Sequence, residues 1–222
     1  MFIFVRHGES ETNIFLHKGH PNAEEEIHKN GDPDLTAMGL AQAANTSAHL
    51  QQVLATMEMP RIRVMQSVFT RALQTGHPFT REYPNIDSVT DSVDLLEYTP
   101  AKKALTDVHL DRGICHDTWE TFRDRVVTFY DTHMVSGTRQ VDAPVVIFGH
   151  SVFISCLLTY VGTQGTFFPD SDQLAIRLPN CSISTVAWSN DREQWVIDAV
   201  GSIAHLTSEL VTGTHNDFAT KQ

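Results

Sequence analysis

The sequence predicts an α/β fold: a three-layer α/β/α sandwich around a mostly parallel central sheet with an antiparallel edge strand. Three observations carry that expectation. Short apolar runs at 2–5, 62–65 and 143–148 alternate with segments of helical periodicity, and such alternation builds parallel sheets with helices on both faces. Two later apolar runs, Ser182 to Trp188 and Trp195 to Val200, are joined by the polar turn Asn190-Asp191, which suits an antiparallel pair at one edge. Polar groups stand at the ends of the predicted strands, where ligands bind in sheets of this kind.

The elements follow in order. Phe2 to Val5 reads as a short, fully buried strand. Polar, glycine-containing sequence runs from Arg6 to Asp34, and its part 17–34, rich in His, Glu, Asn, Asp and Pro, suggests an exposed loop or mobile lid. Thr36 precedes a helix whose core face is expected at Leu40, Ala43, Ala44, Leu50, Leu54 and Met57, with Pro60 ending it. Ile62 to Met65 is the second strand. Ser67 is the expected N-cap of a helix through Gln74, disturbed at its far end by Gly76 and Pro78. A short extended piece is expected near Val89. Asp117 opens an amphipathic helix with Trp119, Phe122, Val126, Phe129 and Tyr130 on one face. Ala143 to Phe148 is another buried strand, followed by an apolar helix through Leu158 and Val161. The 222 residues fit a single domain, 1–222, with cap or lid segments at 14–34 and 98–118.

Composition narrows the function classes. A formal charge of -11 gives no electrostatic footprint for nucleic acid or an anionic membrane. A small phosphorylated substrate remains compatible, because a few arginines in a cleft set the local potential. The three cysteines, Cys115, Cys156 and Cys181, form no CxxC pair or disulfide framework, and Cys156 and Cys181 are expected to be buried thiols. The apolar opening is five residues long and Arg6 ends it, so neither a signal peptide nor a membrane span is expected. Asn45 and Asn180 head Asn-x-Ser/Thr triplets that read as chance matches. A reducing cytoplasm is the expected location; oligomeric state is not legible.

Four groups carry possible chemistry. Arg6-His7-Gly8-Glu9 leaves a buried strand. Arginine offers a planar fork for phosphate oxygens, His7 is a nitrogen nucleophile near neutral pH, Gly8 allows a sharp turn and close approach of an anion, and Asn13 could add an amide donor. Arg71 lies in the first turn of a helix, where anions are already favoured. His150 ends another strand and could stabilise the transferring phosphoryl group. Glu97, after two leucines, could sit at the rim of an apolar pocket and hold a proton for the leaving oxygen. Taken singly, each also fits a solvated or structural side chain.

Together they resemble the histidine phosphatase superfamily, which includes cofactor-dependent phosphoglycerate mutase. Arg-His-Gly-Glu stands at 6–9 with Asn13 beyond it; Leu-Thr-x-x-Gly-x-x-Gln-Ala at 35–43; Ser-x-x-x-Arg-Ala-x-Gln-Thr at 67–75; Leu-x-Glu at 95–97; and a second histidine at 150. The resemblance implies a phosphoglycerate mutase-like fold and a phosphatase needing neither cofactor nor metal. In it, His7 is the nucleophile, Arg6, Asn13, Arg71 and His150 bind the phosphoryl group, and Glu97 is the proton donor. The sequence departs from the family at Ser151, often Gly, which adds a hydroxyl near the phosphate. After Glu97 stands Tyr-Thr-Pro-Ala-Lys102-Lys103, with Arg112 beyond, in place of the mutase Arg-x-Tyr-Gly. A phosphatase is therefore expected ahead of a phosphoglycerate mutase-type transferase. Two rivals use other residues. A serine esterase would need Ser151 as nucleophile with Asp170 or Asp198 and His205, although Phe153 fits a nucleophile elbow poorly. A metal enzyme would need His17, His20, His28 and Glu24 to Glu26, whose spacing matches no tight zinc pattern.

Overall fold

The computed structural model describes residues 1–17, 31–57, 61–100, 110–111, 113–135, 143–170, 173–174 and 176–213. Six strands, β1 (Phe2–Arg6), β2 (Ile62–Ser67), β3 (Ile86–Ser92), β4 (Val145–Gly149), β5 (Ile183–Ser189) and β6 (Gln194–Ser202), form one sheet in the order β3-β2-β4-β1-β5-β6. The pairings β3–β2, β2–β4 and β4–β1 are parallel. β5 runs against β1, and β6 against β5. The expected sheet is therefore present, with the opposing strand one place inside the edge.

The described residues also form five α-helices, α1 (Glu11–His17), α2 (Ala37–Thr56), α3 (Thr70–Glu82), α4 (Trp119–Tyr130) and α5 (Ser151–Gly162), with short 3-10 turns at Val93–Leu95 and Ser208–Leu210 and a π-helical turn at Asp131–Val135. Alternation along β1 sorts the core into two layers. Phe2 and Phe4 join Phe122, Val126 and Phe129 of α4 and Phe153, Leu157 and Leu158 of α5. Ile3 and Val5 join Leu50 and Leu54 of α2 and Phe79 of α3. A side chain of this kind stabilises by about 1.5–3 kcal/mol when fully buried, so the layers hold the sheet from both faces.

Several expectations need correction. The polar run after Arg6 contains α1, a seven-residue helix lacking the long apolar periodicity that would announce it. On α2, Leu40 is 51% exposed and Met57 39%, and Ala44 is exposed too. Gln42 and Thr46 are buried in their place. Their polar atoms are spent on specific partners, so the inward stripe is partly polar. α3 starts two residues after the expected cap: Phe69 is the N-cap, and Ser67 ends β2. It also continues through Gly76 and Pro78, because packing rather than propensity decides there. A Cβ on Gly76 would lie 3.0 Å from the Phe148 ring, so glycine allows the close seat on the sheet. α4 is capped by Thr118 with a reciprocal bond from Thr121. Pro60, residues 18–30 of the first cap segment and residues 101–109 and 112 of the second fall outside the described residues.

Candidate active site

Strand order assembles the site. β1 and β4 are in register with Arg6 opposite Gly149, so His7 and His150 leave neighbouring strands at the same height. β2 lies on the other side of β4, with Gln66 opposite Phe148, and brings Ser67 alongside. The His7 amide donates to the Gly149 carbonyl at 2.9 Å, and the two imidazole rings lie 5.3 Å apart.

His7 is 4% exposed. Its Nδ1 lies 2.7 Å from the Gly8 carbonyl oxygen. A carbonyl can only accept, so Nδ1 carries a proton in this contact, and in the neutral ring the lone pair is then on Nε2. That is the tautomer a nitrogen nucleophile requires. His150 is fully buried, its Nε2 2.8 Å from the Ser67 hydroxyl and its ring edge-on to Phe69 at 5.3 Å.

Two guanidinium groups are buried here. Arg6 donates through Nη1 to the Leu178 carbonyl. Arg71 is 5% exposed, stacks over Phe69 at 4.3 Å and sits 3.6 Å from Asp32. Both Asp32 oxygens are already engaged at 2.7 Å by the Thr70 amide and hydroxyl. Arg71 Nη1 is buried without a hydrogen-bond acceptor among the described residues, which leaves a donor available to an anion. Burial pushes the Arg71 guanidinium below its ordinary range; Asp32 and Glu97 pull it back up, and Arg6 adds to the depression. The two arginines and Glu97 are therefore electrostatic neighbours.

Glu97 is placed otherwise than the apolar rim expected for it. Its carboxylate accepts from Tyr98 N at 3.1 Å, Val152 N at 3.1 Å and Phe153 N at 3.2 Å, at the amino end of α5. Asn13 is buried, and its Oδ1 accepts from Ser10 N, the Ser10 hydroxyl and Asn180 Nδ2. Ser151 is 8% exposed and occupies the first position of α5. Gly8 has no left-handed backbone; a Cβ there would lie 2.6 Å from the Gly39 carbonyl oxygen. Its absence of side chain serves the seat of α2 on the loop rather than a turn.

A family profile for the histidine phosphatase superfamily (branch 1) matches residues 2–201. The chain belongs to the histidine phosphatase superfamily. Solved structures agree on the fold. The mycobacterial glucosyl-3-phosphoglycerate phosphatase complexed with VO3 is 17% identical, with 90% of this chain and 98% of that chain covered and a TM-score of 0.60. The Entamoeba histolytica phosphoserine phosphatase in complex with 3-phosphoglyceric acid is 16% identical, with 93% and 98% covered and a TM-score of 0.62. A Mycobacterium tuberculosis open reading frame product is 17% identical, with 90% and 96% covered and a TM-score of 0.62. No curated protein matches the sequence.

Within this superfamily member the remaining motif residues are scaffold. Thr36 caps α2 through Gly39 N at 3.0 Å and donates to Glu9 Oε1 at 2.9 Å. Gln42 accepts from Glu9 N at 2.7 Å and donates to the Leu210 carbonyl and Thr212 hydroxyl. Gln74 accepts from Leu35 N, and Thr75 from Gly8 N at 2.9 Å. Sequence reasoning missed Asp32 and, above all, Asn180. Asn180 is fully buried, which excludes glycosylation in the folded chain. Its Nδ2 donates to the His7 carbonyl at 3.1 Å and to Asn13 at 3.0 Å, while its Oδ1 accepts from Thr212 at 3.2 Å. Its partners lie 173 and 167 positions away along the chain, so nothing in its local sequence points to this role.

The rivals fare differently. His205 hydrogen-bonds Thr46 of α2 at 3.0 Å, on the sheet face opposite α5, and Asp170 and Asp198 are exposed. Ser151 therefore has no triad of the expected composition. His20, His28, Glu24, Glu25, Glu26, Lys102, Lys103, Arg112 and the His17 side chain lie outside the described residues. Among the described residues no group of three His, Cys, Asp or Glu could hold a metal, and no helix is long and apolar enough to cross a membrane.

Proposed function

We propose that this protein is a cytoplasmic phosphomonoester hydrolase acting through a phosphohistidine on His7, with no cofactor or metal. The observation that carries the reading is the geometry around His7, with Nδ1 2.7 Å from the Gly8 carbonyl oxygen and the second imidazole 5.3 Å away. The buried Arg71 donor supports it.

In the first step His7 Nε2 attacks phosphorus and the bond to the leaving oxygen breaks. Glu97 gives its proton to that oxygen. Arg6, Arg71, His150 and Asn13 hold the equatorial oxygens, with the Ser151 hydroxyl beside them. In the second step water attacks the phosphohistidine, Glu97 takes back a proton, the P–N bond breaks and inorganic phosphate leaves. Splitting one displacement in two lowers each barrier, and phosphoryl transfer needs mainly positioning and charge stabilisation. Hydrolysis is preferred to mutase-type transfer because Tyr98-Thr99-Pro100 replaces the mutase sequence after the glutamate. The substrate class is a small phosphorylated molecule.

The test is a screen of phosphorylated metabolites with wild type and His7→Ala. Wild type is expected to form an acid-labile, base-stable phosphoenzyme, to be inhibited by vanadate and to ignore EDTA. A metal requirement, or full activity in His7→Ala, would overturn the reading.

A further inference from the structure

Glu97 lies on irregular backbone between the short 3-10 turn Val93–Leu95 and residue 100. Irregular backbone does not by itself hold a side chain in one place, and displacement by about 1 Å can cost 100-fold in rate. Two charged side chains bracket this stretch. Arg125 of α4 donates through Nη1 to the Leu96 carbonyl at 2.6 Å and through Nη2 to Asp117 at 2.6 Å. Asp117 accepts from Thr99 N at 3.3 Å, and its own amide donates to the Thr99 carbonyl at 2.7 Å. The Thr99 hydroxyl closes the bracket on the Glu97 carbonyl at 2.9 Å. Arg125 and Asp117 are 15% and 8% exposed, and Thr99 is fully buried.

We infer that Arg125, Asp117 and Thr99 are positioning residues that fix the backbone of Glu97 on both sides so that its carboxyl meets the leaving oxygen. This rests on the proposed role of Glu97 as proton donor. The hydrogen bonds of the three run to one another and to residues 94–99, so each acts through that stretch. A guanidinium suits the task because its planar fork reaches a carbonyl and a carboxylate together, which one ammonium cannot reproduce. Burial makes the Asp117–Arg125 pair sensitive to loss of either partner, so the test avoids truncating it.

The experiment compares kcat/KM for p-nitrophenyl phosphate, whose leaving group needs little protonation, with that for phenyl phosphate, whose leaving group needs it. The ratio is measured for wild type, Arg125→Lys, Thr99→Val and Glu97→Gln, alongside urea unfolding. Glu97→Gln is expected to lower phenyl phosphate turnover about 100-fold relative to p-nitrophenyl phosphate. Arg125→Lys and Thr99→Val are expected to shift the same ratio by about 10-fold. A pair with a merely structural role would lower the urea midpoint and scale both substrates equally, which would overturn the inference. An unchanged ratio in Glu97→Gln would overturn it differently, by removing the donor role beneath it.

Discussion

Replacing Asn180 tests how the loop carrying His7 is held. Asn180→Ala removes three hydrogen bonds: to the His7 carbonyl, to Asn13 Oδ1 and from the Thr212 hydroxyl. The acceptors are not orphaned. The His7 carbonyl keeps the Cys181 amide at 3.2 Å, and Asn13 Oδ1 keeps both Ser10 donors. The loss is therefore the net value of each bond, about 0.5–1.5 kcal/mol, and not a full desolvation penalty. Three such bonds come to about 1.5–4.5 kcal/mol. Asn180→Asp conserves shape but turns the Nδ2 donor into an oxygen facing two acceptors at 3.0–3.1 Å. It adds like-with-like contact and an imperfectly paired buried charge, so it is expected to be the more damaging change. The assay is urea unfolding of both variants near neutral pH, with kcat measured on the folded protein. Both variants should also lose activity, because His7 is left with a looser carbonyl. If Asn180→Asp proves as stable as Asn180→Ala, the assignment of Nδ2 as the donor is wrong.

Further outcomes follow from single features. Gly39→Ala would bring a Cβ to 2.0 Å from the Glu9 carbonyl oxygen, whereas at Gly162 the nearest atom is Ile197 Cδ1 at 3.5 Å. The first is expected to cost roughly 3 kcal/mol or more, because backbone cannot rotate away, and the second to change the melting temperature little or raise it; equal melting temperatures would refute this. Burial, helped by His49 stacked at 4.9 Å, pushes His205 down to about 4, against a hydrogen bond at the Cys181 backbone. Its folded value lies below its unfolded one of about 6.5, so the unfolded chain binds the proton first. Stability should fall as pH drops from about 6.5 to about 4, and His205→Gln should flatten that slope in urea midpoints read across the window. Burial pushes the Cys156 thiol far up and the Cys181 thiol to about 12, while Cys115 is exposed. A thiol reagent at mild pH should therefore modify one cysteine in the native protein and three after unfolding; fast labelling of Cys181 in the folded state would contradict its burial.

What could be read in advance followed from periodicity. The apolar runs of β1 and β4 have no reading other than a buried strand, and the helix after His150 is apolar nearly throughout. The motif residues His7, Arg71 and His150 converge because the sheet order sets their strands side by side. The unread parts depend on partners distant along the chain. Gln42 and Thr46 look like surface positions until Glu9, Leu210 and His205 are seen to occupy their hydrogen bonds. Gly8 suggested a turn because the residue against which it packs, Gly39, is 31 positions away. Glu97 follows two leucines, which implied an apolar setting, yet its neighbours in space are amides of α5. Asn180 shows locally only its Asn-x-Ser triplet, because His7 and Asn13 lie 173 and 167 positions away.

The contacts of residues 178–213 with the loop carrying His7 have a temporal consequence. Ribosomes deliver β1 first, and domains gain structure as they emerge. Yet Arg6 awaits the Leu178 carbonyl, the His7 carbonyl awaits Asn180, and Gln42 awaits Leu210 and Thr212. A nascent chain stalled short of these positions would carry His7 without the hydrogen bonds that hold its loop. Arrested chains of increasing length, assayed while still tethered, should stay silent until this strap has cleared the exit tunnel.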